Sequence, residues 1–132
     1  MLYLENDFVR IEDDRSINAI IIIWLGFCNS TQYRETVEQA FQIAVKTGLR
    51  NWIFDDRKGK LLAPEDQRWL NDQMIPQIET FFKKVANVSS SDIFRKIAND
   101  IIDKKRIKNA KTDLQVHFFN SIETAKEWLA EK

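Results

Sequence analysis

The sequence predicts an α/β fold: a mixed β-sheet with antiparallel N-terminal strands, parallel βαβ units after them, and four flanking helices. Three observations carry this. Short β-branched or aromatic runs alternate with longer segments whose apolar residues recur at helical spacing. From the third run onward, helix-opening residues follow. Ile20 to Leu25 is followed by Asn29-Ser30-Thr31, and Trp52 to Phe54 by Asp55-Asp56-Arg57 and then Pro64-Glu65-Asp66. Val85 to Val88 is followed by Ser89-Ser90-Ser91-Asp92, and Leu114 to Phe119 by Asn120-Ser121-Ile122-Glu123. Finally, Ala19 to Leu25 is continuously apolar and mostly β-branched, the pattern of a central strand covered on both faces.

The elements follow in order. Leu2-Tyr3-Leu4 and Phe8 to Glu12 read as one kinked strand or two short ones, divided at Asn6-Asp7. Asp13-Asp14-Arg15-Ser16 makes a turn, because Asp and Ser bond their own backbone there, and Ile17 to Leu25 returns antiparallel. The first helix takes Ser30 or Asn29 as its cap, buries Tyr33, Val37, Ala40, Phe41, Ala44 and Val45, and stops at Gly48. Pro64 suits the first turn of a second helix, with Glu65 and Asp66 complementing its positive end. Trp69, Leu70, Met74, Ile78, Phe81 and Phe82 form its inner stripe, and Pro76 should kink or break it near Gln73. A third helix runs from Ser91, with Phe94, Ile97, Ala98, Ile101 and Ile102 inward, and Lys108 to Asp113 is a polar link. The last helix opens at Asn120 with Glu123 at capping-box spacing.

The 132 residues suit a single domain, 1–132. Acidic and basic residues balance at 20 each, so no global field drives the chain toward nucleic acid or an anionic membrane. Charge is nevertheless uneven: residues 83–111 hold nine Lys/Arg against three Asp, and residues 1–82 hold nine against thirteen Asp/Glu. The cluster Lys104-Lys105-Arg106 reads as a solvated helix end, and no aromatics interleave with it to stack on bases. The lone Cys28 fits a reducing cytoplasm. The N-terminus lacks the basic region of a signal peptide, and Ala19 to Leu25 is too short to span a bilayer. The expected location is therefore cytoplasmic, with no membrane insertion.

Right-handed crossovers make the helix-linked strands parallel and gather their C-terminal ends on one edge, where ligands of open α/β sheets bind. The expected binding rim is Cys28, Asn29 and Ser30, then Asp55, Asp56 and Arg57, then Ser89, Ser90 and Ser91, then Asn120 and Ser121. Asp55-Asp56 has the form of a paired-carboxylate site, but Arg57 and Lys58 follow to neutralise it, and no catalytic residue is assigned. Cys28 before a helix has a position that lowers thiol pKa, yet nothing aims the only histidine, His117, at it. The three glycines, Gly26, Gly48 and Gly59, make no phosphate loop, and no Cys/His spacing suits a metal. No cofactor is expected. Trp24, Trp52, Trp69 and Trp128 lie on apolar faces and read as core.

The closing stretch Val116-His117-Phe118-Phe119-Asn120-Ser121-Ile122-Glu123-Thr124-Ala125-Lys126-Glu127-Trp128-Leu129 resembles the last strand and helix of SpoIIAA-like proteins of the STAS superfamily. The order of elements is also similar to theirs, and Leu4 to Glu12 and Trp24 through Arg34 resemble uncharacterised bacterial members. The resemblance implies a domain that acts through protein partners. In the anti-anti-sigma factors of that superfamily a serine or threonine opening the second helix is phosphorylated. Here no Ser or Thr lies between Thr47 and Thr80, so that switch does not carry over. The expected function is non-enzymatic protein–protein interaction with an unidentified partner in a bacterial regulatory setting. The alternative is a small-molecule or lipid-binding module using the rim or a cavity under the second helix. A homodimer is expected on indirect grounds: neither Phe81/Phe82 nor Phe118/Phe119 can face one core from regular structure, because adjacent strand residues point to opposite faces.

Overall fold

The computed structural model describes residues 1–58, 63–89 and 114–131. The chain opens with two strands rather than one kinked one: β1 (Leu2–Glu5) and β2 (Val9–Asp14) pair antiparallel across the Asn6-Asp7 turn. The Asn6 side-chain oxygen accepts from the backbone N–H groups of Phe8 and Val9, which fixes that turn. A single 3₁₀ turn, Arg15–Ile17, then reverses the chain. Asp14 caps it by accepting from Ser16 N, and Asn18 leaves it at φ 56, a left-handed conformation that asparagine tolerates. β3 (Ala19–Trp24) returns antiparallel to β2 with a continuous register from Val9↔Trp24 to Asp14↔Ala19.

Helix α1 (Ser30–Thr47) takes Asn29 as its cap and ends on Gly48 at φ 75, where a side chain would strain the backbone. β4 (Asn51–Asp55) follows, parallel to β3. The next helical stretch is α2 (Pro64–Trp69), a π turn (Leu70–Met74) and α3 (Ile75–Phe81). Proline at 76 has no N–H and its ring crowds the carbonyl four residues back. The chain answers with a wider turn in which Ile75 N–H donates to Leu70 O, so helical structure continues where a break was expected. β5 (Lys84–Val88) and β6 (Gln115–Phe119) complete the parallel part, and α4 (Ile122–Ala130) closes the described chain. The helix expected from Ser91, the link before β6 and the Lys104-Lys105-Arg106 cluster lie outside the described residues.

Among the described residues there is one six-stranded sheet, ordered β1-β2-β3-β4-β5-β6. Each parallel step moves the same way across it, so crossovers of one hand put their helices on one face. There α1, α2 and α3 pack on Val9, Ile11, Ile20, Ile22, Trp52 and Val85. The other face carries Ala19, Ile21, Ile53, Ala86 and Val88, covered by Ala125 and Leu129 of α4. β3 is apolar throughout because its alternate residues meet different helices.

The aromatic pairs differ from expectation in an instructive way. Phe81 and Phe82 both join the core under α3, because Phe82 leaves the helix with extended backbone (φ −87, ψ 149) and the regular-structure argument stops applying. Phe41 meets both rings, at 6.2 and 5.9 Å. Phe119 meets Trp128 of α4 at 5.6 Å, so that pair is divided between the two faces of the sheet. The Phe81/Phe82 pair therefore requires no second molecule. No described helix is long and apolar enough to cross a membrane.

Candidate functional site

The C-terminal ends of β3 to β6 form the expected edge, but the structure divides the rim into two groups on opposite faces. On the α1/α2 side, Asn29 makes a reciprocal cap: its oxygen accepts from Gln32 N (2.8 Å) while the Gln32 side chain accepts from Asn29 N (3.0 Å). Ser30, next in the chain, donates to Asp66 Oδ2 at 2.8 Å. Arg34 lies one turn further along α1, and its Nε donates to Asp66 Oδ1 at 3.0 Å. The Asp66 side chain is only 7% exposed, so this carboxylate in the first turn of α2 fastens the opening of one helix to that of the other. Arg34 also lies over the Trp69 ring, 5.6 Å from its centroid.

Tyr33 stacks on Trp24 (5.3 Å between centroids) and meets Trp69 edge-on (5.9 Å). Burial raises its phenol far above the usual range, and the charges of Asp56 and Asp66 and the Cys28 thiol add to this. Cys28 is likewise raised, by burial first and by Asp66 second. The helix opening therefore does not activate this thiol, contrary to what its position alone suggests. His117 is on the far side of the sheet, stacked on Trp128 at 4.5 Å, so it forms no pair with Cys28.

Asp55 and Asp56 do not act as a pair. Asp55, the last residue of β4, is buried and held in a fork by Arg57, with Nε to Oδ1 at 3.0 Å and Nη2 to Oδ2 at 2.8 Å. The Arg57 backbone N–H adds a third bond to Oδ1. Asp55 and then Glu123 on α4 hold the Arg57 guanidinium more firmly in its charged form. Asp56 bonds Val88 O through its backbone N–H, and its charge acts on Tyr33 on the α1 side. It is half-buried, and burial followed by the neighbouring Asp55 charge pushes its carboxyl up to about 7.

The remaining rim residues have structural duties. Ser89 is buried and its N–H donates to Phe119 O. The cap of α4 is Ser121 rather than Asn120: Ser121 Oγ accepts from Thr124 N at 3.2 Å, while Asn120 is exposed just before it. Ser90 and Ser91 lie outside the described residues. The structure thus gathers Cys28, Ser30, Asp56 and Asp66 around Tyr33 and Arg34, and sets Asp55, Arg57 and Glu123 apart. Sequence reasoning missed Arg34, Asp66 and Tyr33 as members. It also passed over Asn87, a buried polar residue inside the apolar run of β5, a pattern that itself draws attention. Among the described residues no three His, Cys, Asp or Glu side chains are grouped so as to hold a metal ion. The chain matches no protein-family model, no curated protein and no solved structure.

Proposed function

We propose that the chain is a STAS-like, SpoIIAA-like domain that acts without catalysis, by binding a protein partner at the carboxyl edge of its sheet in a bacterial regulatory setting. The observation that carries this reading is Phe27. It sits on the loop between β3 and α1, at that edge, and is 69% exposed. Burying such a side chain is worth about 1.5–3 kcal/mol, and an aromatic anchor ringed by polar groups is how partner surfaces concentrate their energy. Arg34 and Arg57, one on each face of the rim, are already oriented by Asp66 and Asp55, so a partner at that edge meets charges that are ordered in advance. The element order supports the STAS-like part: an antiparallel opening, parallel strands in chain order, and a closing strand and helix. The α2 opening reads Ala63-Pro64-Glu65-Asp66, with no hydroxyl to phosphorylate, so partner choice in this reading is not switched there.

Affinity purification from the protein's own cells tests this with three baits: the natural chain, Phe27→Asp, and Val45→Asp. Val45 is 42% exposed in the last turns of α1, at the other end of that helix. A partner held by the first and third baits and lost by the second is expected. If every captured protein is indifferent to Phe27→Asp while that variant stays folded, the reading fails. A dimer in light scattering that Phe27→Asp dissolves would identify the partner as a second copy of the chain.

A further inference from the structure

We draw no further inference here: the strongest candidate, the two buried N–H donors of Trp52 and Asn87 that lack partners on the α1/α2 face of β4 and β5, carries nothing, because nothing in the structure shows what acceptor would meet them.

Discussion

Replacing Asp56 by Asn should stabilise the protein at alkaline pH and leave it nearly unchanged in mild acid. The Asp56 carboxyl moves from an ordinary value of 3.8 to about 7 on folding, through burial first and the Asp55 charge second. Between those two values the folded chain binds more protons than the unfolded chain, so this group makes stability fall as pH rises. The cost is absent below about pH 4 and complete above about pH 7. At about 1.36 kcal/mol per unit, a rise of roughly three units sets an upper bound near 4 kcal/mol. Asp56 is only half-buried, so solvent screening reduces this to an expected cost on the order of 1–2 kcal/mol. Asparagine carries no charge and keeps the backbone bond to Val88. Urea unfolding of both chains at several pH values from about 5 to 8 measures the difference directly. The variant should gain on the natural chain from the acid end up to about pH 7 and level off above it. A difference that is constant with pH, or a gain toward acid, would refute the electrostatic account of the Asp56 carboxyl.

Three further outcomes follow from geometry. Arg34→Met leaves the nearly buried Asp66 carboxylate with Ser30 as its partner on α1, and should cost on the order of 1–3 kcal/mol in urea unfolding. Gly48→Ala should cost about 1 kcal/mol through backbone strain alone, since φ is +75 and a Cβ there has no atom within 4 Å; a thermal melt checks it. Cys28, raised by burial and by Asp66, should react with iodoacetamide several-fold more slowly than a free thiol at neutral pH, and unfolding in urea should erase the difference.

Which features the sequence disclosed depends on how local their causes are. The two-faced burial of β3 was legible because Ala19, Ile21 and Ile23 alternate with Ile20, Ile22 and Trp24 and both sets are apolar. Gly48 and Asn29 were legible because helix ends have few solutions. Pro76 announced a disturbance but not its form, since a break and a π turn both relieve the same clash. The rim could be placed on an edge by topology, yet not assigned to faces: the one-residue step from Asp55 to Asp56 turns the side chain to the opposite side of the sheet. The Ser30–Asp66–Arg34 contact joins residues more than thirty positions apart, and no local pattern announces it. The cap at Ser121 was missed by one residue, because Asn120 is an equally good capping type.

The uninterrupted strand order has a bearing on how the chain is made. Synthesis delivers the strands in the order in which they pair, so each newly emerged strand finds its neighbour already in place. Among the described residues no strand has to insert between two that have met. The β1–β2–β3 meander closes with the shortest loops and gives the nascent chain a template edge, onto which β4, β5 and β6 add one at a time. A ribosome-bound chain stalled after β5 would therefore carry a native-like edge at β5 ready for β6, and unfolding under force applied at the C-terminus should peel the described sheet in the reverse sequence.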